Sequence, residues 1–237
     1  MGYLSATRHP WPCLVFLVPL LAVYECGVIW LGGGAPEKIR NGADTWLRYL
    51  IGTAGFNPLL VAPGVIVGLL LIWTLWRWKD RPERVPAVVF GMALESVLFA
   101  GMLWVIASNF TAILGHYGVA MSLDASRDKA AEVVTYIGAG IYEEVIFRLI
   151  LCGGLARLLH YVMVPWAVAM LMAIVASSLL FAAAHHVGPN AEPYRQGRFL
   201  FRVFAGAFFA VIYWWRGFGV AAGTHAGYDI IVGLPGH

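Results

Sequence analysis

Long apolar runs separated by short polar connections dominate the chain. A helix needs about 20 mostly apolar residues to cross the hydrocarbon core of a bilayer. Seven stretches have that character, at about 13–31, 58–76, 86–114, 133–152, 162–184, 199–215 and 217–234. Runs this long predict helices rather than the short alternating strands of a membrane barrel. The expected fold class is therefore all-α, a polytopic membrane helix bundle of about seven transmembrane helices in a single integral-membrane domain over 1–237. No small-x-small cleavage site follows the first apolar run, where Tyr24 and Glu25 stand instead, so a retained anchor is expected in place of a cleaved signal peptide. The longest connection, 32–57, holds Gly32-Gly33-Gly34 and a polar run from Glu37 to Arg48. It is expected to lie at the interface or to re-enter the membrane. The densest basic loop, Arg77 to Arg84, leans toward a cytoplasmic second connection, against which Lys38, Arg40 and Arg48 then fall outside. Trp73, Trp76 and Trp78 mark an interface.

Composition sharpens this picture. The 237 residues are 60% hydrophobic and 12% charged, with a mean hydropathy of +0.75. A soluble domain carries about 25% charged residues, and half that number leaves large apolar patches for lipid to cover. The net charge is only +3, without a basic stripe interleaved with aromatics, so nucleic acid is not an expected partner. Cys13, Cys26 and Cys152 form no CxxC pair and sit in or beside apolar runs. They read as small apolar side chains, with no disulfide framework and no thiolate metal site.

Several charges interrupt the apolar runs. Glu25 and Glu95 lie in the first and third stretches and read as partners of polar neighbours, while Glu143-Glu144-Val145-Ile146-Phe147-Arg148 crosses the fourth. On insertion scales one arginine at a helix centre costs roughly 2.5 to 3.5 kcal/mol, and an intramembrane ionisable group is read as functional by default. At about 100° per residue, Glu144 and Arg148 share one helical face in the favoured acid-before-base order. Glu143 points away from that pair and is placed as a general base. The fifth stretch ends in Phe181-x-x-x-His185, a spacing that puts ring and imidazole on one face, with His186 directed elsewhere. The seventh carries Gly219, Gly223 and Gly227, a smooth ridge for close helix approach, with His225 and Asp229 on the opposite side.

Taken in order, Glu143-Glu144-x-x-x-Arg148, Phe181-x-x-x-His185 and His225-x-x-x-Asp229 resemble the three motifs of the CAAX protease and bacteriocin-processing family, the abortive-infection family of membrane peptidases. The motif-bearing core is about 133–237. The resemblance implies helices around a polar, water-filled cavity and hydrolysis of peptide bonds near substrate C termini without a Ser or Cys nucleophile. In that pattern Glu143 activates water, His185 helps to position it, and His225 with residue 229 stabilises the oxyanion. Glu144 and Arg148 form a structural pair, and Phe181 supports the motif. The best-studied branch has Asn at the last position and the family pattern admits Asp; Asp229 is then either protonated or, the preferred alternative, orients His225. The implied partners are the bilayer and a membrane-associated protein or peptide substrate, and the implied location is the bacterial inner (plasma) membrane.

No cofactor is expected. One glutamate and two histidines can hold zinc with water in the fourth place, but no HExxH-like cluster occurs and the resemblance implies a metal-free glutamate mechanism. Two rival readings remain at this level: a catalytically silent membrane scaffold or immunity protein using the same cavity, and a proton-coupled transporter relaying through Glu25, Glu95 and the same Glu/His set.

Overall fold

The computed structural model describes residues 1–116, 129–188 and 191–233. Leu234, the end of the seventh predicted stretch, lies outside them. Among the described residues every regular element is helical: α1 (Tyr3–Ala6), α2 (Pro10–Gly32), α3 (Gly42–Thr53), α4 (Pro58–Trp76), α5 (Val85–His116), α6 (Lys129–Glu144), α7 (Gly153–Tyr161), α8 (Trp166–Ala184), α9 (Gln196–Arg216) and α10 (Phe218–Gly233). Two 3₁₀ turns, Pro36–Lys38 and Trp78–Asp80, lie in connections, and a π-helical stretch, Val145–Cys152, joins α6 to α7. The all-helical membrane bundle predicted from the apolar runs is what the chain forms.

The number of spans is less simple than seven. Four helical segments, Pro10–Gly32, Val85–Phe110, Trp166–Ala184 and Gln196–Arg216, are each long and apolar enough to cross a bilayer. In α4 a shorter apolar segment, Val61–Trp76, is found. The two remaining predicted stretches form α6 with its π-helical continuation, which carries the charged cluster, and α10, which is only 16 residues long. These helices are packed among others, so other protein surface covers their polar groups and lipid need not do so.

Helix starts follow from the sequence. His9 caps α2, its ring accepting from the Trp11 amide at 3.1 Å, and Pro10 at the first helical position has no amide to leave unpaired. Asn41 caps α3 by accepting from the Asp44 amide at 2.9 Å, and Asn57 caps α4 by accepting from the Leu59 amide at 3.0 Å. The His9 ring's other nitrogen donates to the Arg77 carbonyl at 3.1 Å, which joins the start of α2 to the end of α4 at one end of the bundle. At the opposite end the Thr135 hydroxyl donates to the Ile39 carbonyl at 2.8 Å and ties the entry of α3 to α6.

The polar run 37–48 does not lie solvated at an interface. It turns inward as part of α3, and Arg40, Asp44 and Arg48 are all buried. Arg40 donates to Asp44 at 2.7 Å and to Glu25 at 3.3 Å; Arg48 donates to Asp44 at 2.6 Å and to Glu25 at 2.7 Å. Two acids and two bases thus neutralise one another between α2 and α3. The Tyr24 hydroxyl adds a bond to Asp44 at 2.8 Å, and the Tyr142 hydroxyl of α6 donates to Glu25 at 2.6 Å. Glu95 likewise receives a two-point bond from Arg216, at 2.8 and 2.6 Å, clamping α5 to α9. Both isolated glutamates of the apolar stretches therefore have cationic partners, as their reading as partners of polar neighbours anticipated. Of the cysteines, Cys13 and Cys152 are buried whereas Cys26 is exposed on α2, so the packing expected of all three holds for two.

At the centre lies α10. Its glycine ridge meets α5: Gly219 faces Met92, Gly223 faces Ser96 and Gly227 faces Ala100, each pair one helical turn along. On another side α10 meets α6 at Gly140, where an added Cβ would stand 2.6 Å from the Ala226 amide nitrogen and 2.7 Å from the Ala222 carbonyl oxygen. This approach is backbone to backbone and leaves no flexible atom to yield. Gly140→Ala is expected to force α6 and α10 apart and to cost about 1–3 kcal/mol, the usual range for overpacking. Thermal unfolding of the purified protein in detergent measures this, and an unaltered melting curve would contradict the close approach.

Candidate active site

The site forms where α6, α8 and α10 converge. Just after Glu144 the α-helix widens into the π-helical stretch that contains Arg148. The uniform 100° step used for the sequence therefore does not hold across this segment, and a wider turn is a common feature of helices at functional sites. The acid–base pair survives the change: Arg148 Nε stands 3.1 Å from Glu144 Oε2, with both side chains fully buried.

Glu144 uses its other oxygen on a different helix. His225 Nδ1 lies 2.8 Å from Glu144 Oε1, and since a carboxylate only accepts, Nδ1 carries the proton of that bond. His225 Nε2 is thereby directed to the other two acids, 3.5 Å from Asp229 Oδ2 and 3.9 Å from Glu143 Oε2. On the far side of Glu143, His185 Nε2 is 4.0 Å from the same Oε2 atom. His185 occupies the C-cap of α8, and its Nδ1 lies 2.8 Å from the Phe181 carbonyl. That carbonyl fixes the proton on Nδ1 and leaves Nε2 as the acceptor facing Glu143. Burial pushes the His185 pKa below its ordinary value, outweighing the upward pull of Glu143, so the ring is neutral at pH 7.

Aromatic rings fill the space behind these groups. Phe181 lies edge-on to both imidazoles, its centroid 5.0 Å from His185 and 5.8 Å from His225. Phe209 of α9 stacks on His225 at 4.5 Å with an interplanar angle of 13°. The Arg148 guanidinium sits over Phe181 at 4.4 Å and 5.4 Å from the Phe209 centroid, and it donates to the Gly206 carbonyl at 3.2 Å. Its charge is thus spread over a carboxylate, two ring faces and a carbonyl.

The structure brings Glu143, Glu144, Arg148, Phe181, His185, His225 and Asp229 into one cluster. His186 turns away, its ring bonded to the Glu192 carbonyl at 2.9 Å. Sequence reasoning missed Phe209 and Gly206 on α9, because an aromatic in an apolar span reads as lipid-facing or core. It also missed Glu192, which lines the cavity and pairs with Arg202 at 2.7 Å and Arg198 at 3.1 Å. Burial raises the Glu192 pKa, but the hydrogen bonds and charges of these arginines outweigh it and leave the carboxyl below its ordinary value. A cavity of about 110 Å³ opens beside Glu143 and His185. Among the described residues no group of three or more His, Cys, Asp or Glu side chains is arranged to hold a metal ion.

A helix bundle with apolar spans and an ionisable, partly buried cavity defines an integral membrane protein built around a polar site. Residues 130–231, the segment that contributes all of these motifs, match the family model described as Rce1-like, type II CAAX prenyl endopeptidase Rce1-like; the chain belongs to the CAAX protease and bacteriocin-processing family and is a membrane peptidase. No curated protein and no solved structure matches the chain.

Removing Arg148 would strand Glu144 in a dry interior. Breaking one side of a buried pair costs about 3–5 kcal/mol, so Arg148→Ala is expected to lower the melting temperature by on the order of ten degrees. Thermal unfolding monitored in detergent gives the result directly; a variant as stable as the parent would show that the pair does not clamp the site.

Proposed function

We propose that the protein is an endopeptidase acting within the membrane, which hydrolyses peptide bonds near substrate C termini with water activated by Glu143. The observation that carries this reading is the position of Glu143 Oε2, 4.0 Å from His185 Nε2 and 3.9 Å from His225 Nε2. This oxygen is buried and has no hydrogen-bond partner among the described residues. A water bonded to it and to His185 at about 2.8 Å each would be held at an angle of roughly 90°. Glu143 takes one proton of that water as its oxygen attacks the scissile carbonyl, and the neutral His185 Nε2 accepts the other hydrogen bond and aims the lone pair. No acyl-enzyme forms, since the attacking oxygen belongs to water.

The developing oxyanion falls to His225. Its Nδ1–H is committed to Glu144, so a proton on Nε2 is the one available for donation. Asp229, 3.5 Å from that nitrogen, orients the ring and balances its charge, leaving the imidazole as donor. Glu144 and Arg148 hold His225 in place without touching substrate. The proton taken by Glu143 passes to the leaving amine, which restores the carboxylate for the next turnover.

Glu143→Gln keeps the shape and removes the base. It is expected to reduce cleavage of a peptide library by about 10²–10⁴-fold, the usual contribution of a positioned base, with membrane insertion and melting temperature little changed. Retained proteolysis by the purified variant would overturn the assignment. A silent scaffold would keep its phenotype with Glu143 and His185 both replaced, and a transporter would show proton flux in liposomes that Glu95 substitution abolishes. The same reading needs no metal: exhaustive dialysis against a chelator is expected to leave turnover unchanged, and loss of activity restored by zinc would contradict it.

A further inference from the structure

The cavity beside Glu143 is not closed by the family-matched segment alone. One wall comes from α3, which precedes that segment by more than 70 residues: Ala43, Thr45 and Trp46 face Ile146, Phe147 and Glu143 across the opening. Trp46 also reaches the turn that follows His185. There Gly188 adopts a φ of +99°, and a Cβ on it would lie 3.0 Å from Trp46 Nε1. The indole thus packs against the chain that carries one histidine of the site while standing opposite the glutamate.

Three observations bear on what this wall does. The space is small, about 110 Å³, whereas a cavity of about 150 Å³ is known to admit benzene. Its charged lining is already satisfied or committed to the reaction: Glu192 is held by Arg198 and Arg202, and Glu143 is the base. And α3 is held rigidly, because Asp44 and Arg48, two residues either side of Trp46, are locked to Glu25 and Arg40, with Tyr142, the neighbour of Glu143, bonded to the same Glu25.

We infer that Trp46 is a specificity-determining residue, the size gate for an uncharged substrate side chain flanking the scissile bond, with the buried Glu25–Arg40–Asp44–Arg48 cluster as its positioning device. The inference rests on the peptidase reading above. A compact uncharged side chain fits between the indole and Ile146 and Phe147. An indole-sized one collides with Trp46, and a charged one finds no free counter-ion.

The test uses the full-length protein in detergent or liposomes and a peptide cleaved by it, with the residues on either side of the scissile bond varied in turn among Ala, Leu, Trp and Lys. Reduced-amide versions of the same peptides report binding without turnover. Trp46→Ala is expected to raise the Trp-over-Ala preference in kcat/KM, and in affinity for the reduced amides, by about tenfold or more, the scale of discrimination by a shaped apolar pocket. Trp46→Phe should fall between. Asp44→Asn, which leaves the indole intact, should relax the same preference by loosening α3, while Lys-containing peptides stay poor throughout. An equal loss on all peptides, or no change in preference in Trp46→Ala and Trp46→Phe, would overturn the inference. If Glu143→Gln retains cleavage while Trp46→Ala shifts the preference, the base assignment fails and the gate stands. If the parent protein neither binds nor cleaves any of the peptides, both fail.

Discussion

Everything at the site hangs on Glu144. Its carboxylate is fully buried, and it divides its two oxygens between Arg148, four residues along its own chain, and His225 on α10. In low dielectric an unshared charge is costly, so each partner is needed by the others, and the three can be buried only together. The consequence is geometric. Once Glu144 is turned toward α10, the next carboxylate back along the helix, Glu143, faces the opening where His185 and Asp229 stand. An interaction that contributes to folding thereby sets the direction of the group proposed to do the chemistry.

The close backbone approach at Gly140 makes that interaction possible. One turn before the glutamates, α6 lies against Ala222 and Ala226, the residues on either side of His225 along α10. A side chain at position 140 would separate the helices and lengthen the Glu144–His225 bond. The glycine ridge on α10 does the same for α5, so that the helix carrying His225 and Asp229 is gripped on two sides by backbone contacts. Aromatic rings complete the enclosure: Phe181 and Phe209 sandwich the imidazole and the guanidinium, excluding lipid and strengthening each electrostatic contact within.

Much of this was legible in the sequence. Charges inside apolar runs are costly enough to stand out, and Glu143, Glu144, Arg148, His185, His225 and Asp229 were all found that way; the four-residue spacings then gave their faces. Two kinds of feature were hidden. The first is the inward turn of α3: Arg40, Asp44 and Arg48 stand at i, i+4, i+8, a single helical face, but the charge of such a face says water unless its counter-charge, here Glu25 on a neighbouring helix, is recognised as a partner. The second is anything carried by an apolar side chain in an apolar span. Phe209 and Trp46 differ from their neighbours only in what they meet in three dimensions, and no one-dimensional pattern separates them from lipid-facing aromatics. The π-helical stretch was also hidden, because apolar periodicity over eight residues does not resolve a wider turn.

The hydrogen bond from His225 to Glu144 links two separate helices and decides whether the site exists as described. A double-mutant cycle on Glu144→Gln and His225→Gln, read as unfolding free energy in detergent, measures it directly. The account predicts a coupling of about 1–3 kcal/mol, as for residues sharing one buried network. Additivity to within about 0.5 kcal/mol would mean that the two residues are independent, and the site as drawn would not stand.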